Sequence, residues 1–364
     1  MNERLNAICP YFAMFPLEYP KKIIQNNEIT SVLDPFCGRG TTNLAARSAG
    51  VFSVGIDSSK VAYAIASSKM VKTTPDSIVS ECIAILSSNI PADVPEGEFW
   101  SMMYRPEVLK DICRIREALL DDCSSPERIA LRGIMLGALH GPLRVNGSSS
   151  YLSNQFPRTY ASKPNYSVRY WKSKGYLEPP YVSVLKTVEG RARRYYTGID
   201  ESPTGFIVNG DSTESSTFDS IRERIEERRF DAVITSPPYL KMYTYIPDQW
   251  IRHWFVGGLP SVEYSLDGQI HDGVSEFEKQ LETVWNNCAD ICDDGAHLYI
   301  RFGKIGSDNN DPVAIITKSL ENTDWSNIVF SEAGVPVKGR RQSDSFLNTN
   351  PNGYREIDVC ATLN

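Results

Sequence analysis

The stretch Ser31-Val32-Leu33-Asp34-Pro35-Phe36-Cys37-Gly38-Arg39-Gly40-Thr41-Thr42 limits what this chain can fold into more than any other. It reads as a short apolar strand running into a glycine turn, and Thr41 to Arg47 then reads as a helix. Glycines at such a junction let the backbone approach a ligand closely, and the helix N-terminus presents N–H groups to it. A strand, a glycine turn and a helix open a parallel, helix-covered sheet whose ligands bind at the carboxyl ends of the strands. The spacing Gly38-x-Gly40 is not the full dinucleotide fingerprint, and the phosphate-binding lysine of a P-loop is missing. Neither a nicotinamide cofactor nor ATP is favoured.

The pattern repeats downstream. Ser53-Val54-Gly55-Ile56-Asp57 reads as a second strand ending in a carboxylate, followed by an alanine-rich helix through Met70. An acid roughly twenty positions after the glycine turn can accept hydrogen bonds from ribose hydroxyls, and Asp57 stands there. It stands equally well where a helix is capped. Gly205 to Asn209 reads as a strand ending in Gly210-Asp211-Ser212, and Asp231-Ala232-Val233-Ile234-Thr235 as another. Pro237-Pro238 stops the latter, because neither proline can donate a ladder hydrogen bond. The stiff loop that follows carries the Ser236 hydroxyl, two backbone carbonyls and the Tyr239 ring. Acceptors for an exocyclic amine beside a ring to stack on suit a planar base; a proline-terminated strand with a core tyrosine is the plainer reading.

Asp34 to Thr42, with Thr235-Ser236-Pro237-Pro238-Tyr239 far downstream, resembles the S-adenosylmethionine-dependent amino-methyltransferases that modify DNA bases on exocyclic nitrogen. The resemblance implies an α/β, class I methyltransferase-like (Rossmann-like) fold, a seven-stranded mostly parallel sheet with a largely helical inserted recognition region. It implies that Asp34, Phe36, Cys37, Gly38, Gly40 and Thr41 hold the methionine part of S-adenosyl-L-methionine. Asp57 would take the ribose and Asp211 the adenine amine, unless Asp211 caps the helix beginning near Ser216. Phe15-Pro16 is similar to a segment that closes over the cofactor; an aromatic cluster packing a terminal helix is the alternative. Ser236, Pro237, Pro238 and Tyr239 would hold a base flipped out of double-stranded DNA. The family's adenine enzymes more often carry Asp or Asn where this chain has Ser236, so cytosine N4 is the expected target. Adenine N6, an RNA base, and a nucleic-acid-binding module without turnover stay open. Such enzymes also imply a restriction or defence system with a cognate nuclease as partner. The order of cofactor loop, insertion and base loop resembles the class that places recognition between the motifs, although this glycine loop best matches enzymes of the opposite order.

The sheet pattern breaks between the motifs, which divides the chain into a catalytic domain of residues 1–74 and 201–364 and an insertion of residues 75–200. From Phe156 to Tyr196 the insertion interleaves Arg158, Lys163, Arg169, Lys172, Arg191, Arg193 and Arg194 with tyrosines, while acids are sparse. Cations that neutralise phosphates, among rings that stack on bases, suit a nucleic-acid surface; a solvated loop with packed tyrosines is the alternative. The formal net charge of −7 argues against coating nucleic acid by bulk charge. It leaves a local basic surface open, since fields are screened within about 8 Å at physiological salt. Arg340 and Arg341, in a late loop, suit phosphate contact or a solvated turn equally.

Met242 to Phe255 reads as a partly helical aromatic segment able to wall a base pocket, with His253 structural. Glu276 to Asp293 reads as a long helix, Ala296 to Phe302 as a strand, Pro312 to Leu320 as a helix, and Trp325 to Phe330 and Glu356 to Leu363 as closing strands. The eight cysteines show no Cys-x-x-Cys pair, so neither a zinc site nor a disulfide framework is indicated. Cys288 and Cys292 lie four apart in a helical pattern and read as core. No apolar run is long enough to span a membrane and no secretory signal opens the chain, so a cytoplasmic protein is expected.

Overall fold

Alternation along the central strands decides the layers. In the computed structural model, β1 (Ser31–Asp34) sends Val32 to one face of the sheet and Leu33 to the other, and β4 (Phe230–Thr235) does the same with Ala232 and Ile234 against Val233. Residues two apart share a face, so a strand buried on both sides reads as a continuous apolar run. The structure describes residues 3–11, 15–88, 90–142, 151–156, 161–199, 204–240, 245–262, 273–303, 311–333 and 356–364.

The sheet has seven strands in the order β3-β2-β1-β4-β5-β7-β6, with β2 at Phe52–Asp57, β3 at Gly205–Asn209, β5 at Cys292–Gly303, β6 at Trp325–Glu332 and β7 at Glu356–Leu363. Strands β3, β2, β1, β4 and β5 are parallel, and β7 runs antiparallel between β5 and β6. This is the seven-stranded, mostly parallel α/β sheet expected of a class I methyltransferase-like fold. The order runs outward from β1 to β3, then returns to β4 on the other side of β1. That reversal is the topological switch point, where ligands of open α/β sheets bind.

Helix α1 (Glu18–Asn26) and α2 (Thr41–Ala49) supply Ile24, Ala45 and Ala46 to one face, and α3 (Lys60–Ser68) follows β2. The chain then leaves the sheet for α4 (Pro75–Leu86), α5 (Glu98–Met103), α6 (Pro106–Asp121), α7 (Pro126–Ala138), α8 (Pro164–Lys174) and α9 (Val184–Tyr196). Proline opens α4, α6, α7 and α8, where its missing N–H costs nothing, and Thr74, Ser125 and Ser183 cap α4, α7 and α9. After β3 come α10 (Ser215–Ile225), the short α11 (Tyr245–Asp248) and α12 (Trp250–Phe255), then α13 (Val274–Ala289) and α14 (Pro312–Leu320). Phe218, Ile221, Leu281, Trp285 and Ile316 from α10, α13 and α14 pack with Leu33, Val233 and Leu298 on the second face.

Two compact units result. One consists of Met1–Tyr11, Ser67–Ser202 and Thr244–Ser265, and the other, with the sheet, of Phe12–Ala66, Pro203–Tyr243 and Leu266–Asn364. The helical unit gathers Trp100, Trp171, Trp250 and Trp254 around Phe99, with Trp100 and Trp254 at 4.6 Å and Phe99 and Trp250 at 5.0 Å between ring centres. The tryptophans of α12, read from sequence as a base-pocket wall, are thus buried in that core, and Arg252 between them donates to the Leu136 carbonyl. The long helix also ends earlier than expected, at Ala289. Cys288 lies in the last turn of α13 while Cys292 opens β5, so the pair straddles two elements; both are buried, and all eight cysteines are free thiols. No helix among the described residues is long and apolar enough to cross a membrane.

Candidate active site

Because β1 and β4 are neighbours, the glycine turn after Asp34 and the proline loop after Thr235 leave the sheet side by side. The Thr235 hydroxyl donates to Asp34 Oδ1 at 2.6 Å, and the Phe36 amide to the same oxygen at 3.1 Å. Thr42, in the first turn of α2, donates to the Ile234 carbonyl at 3.3 Å. Asp34 is buried, and loss of water raises its carboxyl to about 6; the bonds from Thr235, Thr42 and the Phe36 amide oppose part of the rise.

Asp57, at the end of β2, accepts the Gly38 amide on Oδ2 and the Ser59 amide on Oδ1, both at 2.9 Å. Burial lifts this carboxyl to about 6 as well, the two amides opposing and the Asp34 charge adding to the rise. A carboxylate offers about four lone-pair sites, so Asp57 can serve the turn and still accept hydroxyls. Gly38 and Gly40 have φ of +50° and +72°. A Cβ on Gly40 would stand 2.9 Å from that of Ala66, whereas one on Gly38 would meet nothing within 4 Å. Gly40 serves close packing, and Gly38 leaves an open cradle at the turn.

The third strand is tied in too. Asn209 Nδ2 donates to the Asp57 carbonyl at 2.9 Å and the Ser58 carbonyl at 3.1 Å, and Ser212 Oγ donates to the Pro35 carbonyl at 2.6 Å. Side chains thus bind the ends of β1, β2, β3 and β4 to one another. Thr42, Thr235, Asn209 and Ser212 were not among the residues singled out from sequence. The signal available was a short polar side chain beside each turn.

Among the predicted cofactor residues, Phe36 sets its ring edge-on to Trp285 at 6.2 Å. Cys37 is buried over Gly55, where an added Cβ would lie 3.0 Å from its sulfur. Both side chains pack inward. Thr41, also buried, opens α2. Asp211 Oδ1 accepts the Thr213 amide and hydroxyl, each at 2.8 Å, while Asp211 Oδ2 has no partner among the described residues. It does not cap α10, which starts at Ser215 after Glu214. The Phe15 ring is buried 5.1 Å from that of Tyr19, and the exposed Pro16 accepts the Tyr19 amide at 2.9 Å.

In the proline loop, Pro237 is buried, and Ser236 and Pro238 are half-buried. Ser236 makes no hydrogen bond among the described residues. Tyr239 sets its ring 6.3 Å from Phe302 and donates its hydroxyl to Glu356 at 3.3 Å.

In the helical unit, Lys163, Arg169 and Lys172 are exposed on or beside α8, Lys172 pairing with Glu98 at 2.6 Å. Tyr166, about half exposed at 52%, lies parallel to Tyr170 at 6.5 Å, with Tyr176 edge-on to Tyr170. On α9, Arg191 is half-buried over the Tyr151 ring at 5.3 Å, and burial lowers its pKa. Arg193 reaches Glu189 at 3.2 Å and Asp76 at 3.5 Å, and Arg194 lies over Tyr195. Arg158, Arg340 and Arg341 lie outside the described residues.

Residues 2–68 match the N6_N4_Mtase family model, described as a DNA methylase. That segment holds the glycine turn and Asp57, and the match supports a methyltransferase. No curated protein is a significant match to the chain. Among solved structures, the rRNA methyltransferase aviRa from Streptomyces viridochromogenes aligns at 9% identity with a TM-score of 0.35, over 97% of this chain and 87% of that one. Haemonchus contortus phosphoethanolamine N-methyltransferase 1, in complex with phosphoethanolamine and S-adenosylhomocysteine, aligns at 9% identity with a TM-score of 0.18, over 95% and 91%. Likenesses this distant carry no weight for the reaction.

Proposed function

We propose that this chain transfers a methyl group from S-adenosyl-L-methionine to the exocyclic N4 of cytosine in double-stranded DNA. The observation that carries the reading is the placement of the two motif turns on adjacent parallel strands at the switch point, joined by the bond from Thr235 to Asp34. The residues fit the cofactor: Gly38 leaves a cradle a side chain would fill, Asp57 retains acceptor sites for ribose hydroxyls, and Asp211 Oδ2 is available to the adenine amine. When bound, the cofactor supplies an electrophilic sulfonium methyl.

The chain's own part is positioning. An exocyclic amine is a poor nucleophile because its lone pair is delocalised into the ring. Ser236 Oγ and a proline carbonyl accepting its hydrogens favour a tetrahedral nitrogen with the lone pair directed at the methyl. Tyr239 stacks on the base, which must leave the duplex at a cost of a few kcal/mol. The exposed cations Lys163, Arg169 and Lys172, beside Tyr166 and Tyr176, hold the DNA backbone and unstacked bases. Such a substrate fits a restriction or other defence system, with a nuclease as partner, and a cytoplasmic location.

The test is incubation of the protein and labelled cofactor with duplex DNA and, separately, with RNA, followed by nucleoside mass spectrometry, beside calorimetry of cofactor binding. N4-methylcytosine is the expected product. N6-methyladenine would move the reading to adenine, label in RNA alone would move it to RNA, and absence of both cofactor binding and label would reduce the chain to a binding module.

A further inference from the structure

A run of aromatic and charged side chains in the sheet unit joins the segment before α1 to the proline loop. The Phe15 ring stands 5.1 Å from Tyr19, and the Arg301 guanidinium carbon lies 3.9 Å from the centre of the Tyr19 ring. Arg301 Nε and Nη2 each donate to an Asp358 oxygen at 2.7 Å, across the β5–β7 pair in which these residues are partners. Two positions along β7 on the same face, Glu356 Oε1 accepts the Tyr239 hydroxyl. Burial works against the Arg301 cation, but its bond to Asp358 and the charges of Asp358 and Glu356 outweigh burial and raise its pKa. Burial, reinforced by Asp358, likewise keeps the Tyr19 hydroxyl protonated well past its ordinary range.

The residue types point to geometry more than to stability. A largely buried ion pair is often replaceable by apolar side chains at no net loss. A guanidinium forked on a carboxylate and lying over a ring is instead fixed in plane and direction. We propose that Arg301, with Asp358 and Glu356, is a positioning centre. It fixes Tyr239 on one side and the Tyr19–Phe15 segment on the other, so that the base-holding loop and the cofactor-covering segment keep one mutual arrangement. The inference rests on the roles given above to Tyr239 and Phe15.

The test compares wild type with Arg301→Met, Arg301→Lys, Glu356→Ala, Tyr239→Phe and the double variant Tyr239→Phe/Glu356→Ala. Amide hydrogen exchange is followed in peptides covering residues 15–26, 41–49 and 230–240, beside kcat and KM for cofactor and DNA. Arg301→Met is expected to speed exchange in both 15–26 and 230–240 while 41–49 is unchanged. Glu356→Ala is expected to speed only 230–240. Arg301→Lys, which keeps the charge and loses the fork, should recover part of the protection. Glu356→Ala and Tyr239→Phe should each lower kcat by about three- to tenfold, the net worth of one ordinary hydrogen bond, and the double variant no further. Unaltered exchange at 230–240 in both Arg301→Met and Glu356→Ala, or fully additive kinetic losses, would overturn the positioning role. A wild-type protein that transfers no methyl group defeats the functional reading alone, since hydrogen exchange still decides whether the joint exists.

Discussion

The carboxyl edge of the sheet and the surface of α8 use polar side chains in opposite ways. At the sheet edge, Thr235, Asn209 and Ser212 spend their hydrogen bonds on neighbouring strand ends, and two carboxyls are held out of water. On α8, tyrosines and cations face solvent, and Lys172 has Glu98 within reach. Helix α9 shows that composition alone does not make the second kind of surface: its arginines are half-buried, paired with acids or laid on a ring, and Tyr195 and Tyr196 are core. Rigid pre-organisation and a solvated, adaptable surface are different devices. The first serves positioning of reacting groups, the second serves contact with a long charged partner.

The contrast can be tested from its strongest consequence downward. Ser236→Ala, at the rigid edge, should lower turnover by roughly one to two orders of magnitude while cofactor affinity in calorimetry is largely kept, as for loss of one positioned hydrogen bond. Unchanged turnover would take Ser236 out of the mechanism.

Next in size is the pH dependence of the buried carboxyl. Asp34 stands at about 6 in the fold against an ordinary 3.8, so between those values the native state holds a proton that the unfolded chain has released. Stability therefore falls as pH rises through that window, by about 3 kcal/mol for this group, and levels off above it. Asp34→Asn keeps an acceptor for Thr235 and should remove that share of the slope in denaturant unfolding from pH 4 to 7. An unaltered slope would place Asp34 in water.

The smallest effect separates α8 from α9. Arg169→Glu should weaken DNA binding and reduce the slope of log affinity against log salt by about one, the contribution of a single phosphate contact. Arg193→Glu, at a cation that already has Glu189 and Asp76 beside it, should change that slope less. Equal effects would erase the distinction between the helices.

The sheet was legible because its signals are local. Val32-Leu33 before a glycine turn and Val233-Ile234 before two prolines announce strands ending in loops, and the order of the remaining elements follows from alternation. The boundary near residue 290 was misread because Cys288 and Cys292 keep helical spacing across a chain reversal. Trp250 and Trp254 stand close after the proline loop in sequence, which suggested a pocket wall, yet their partners Phe99 and Trp100 lie in the insertion. Tyr19, Arg301, Glu356 and Asp358 went unnoticed for the same reason: contacts between residues far apart in the chain leave no trace in any short window. Which cations of 156–196 would be solvated depended on helix faces and on acids such as Glu98 and Asp76, which precede that stretch.

The pairing of Val32 with Ala232 joins residues 200 positions apart at the middle of the sheet. At about 5–20 residues per second, a ribosome needs about 10–40 s between delivering the two. For that interval β1 waits with one hydrogen-bonding edge bare while the intervening helices emerge. The centre of the sheet therefore cannot close until β4 has emerged, whereas β1 and β2 can pair as soon as both are out, and β5, β6 and β7 add to it later still.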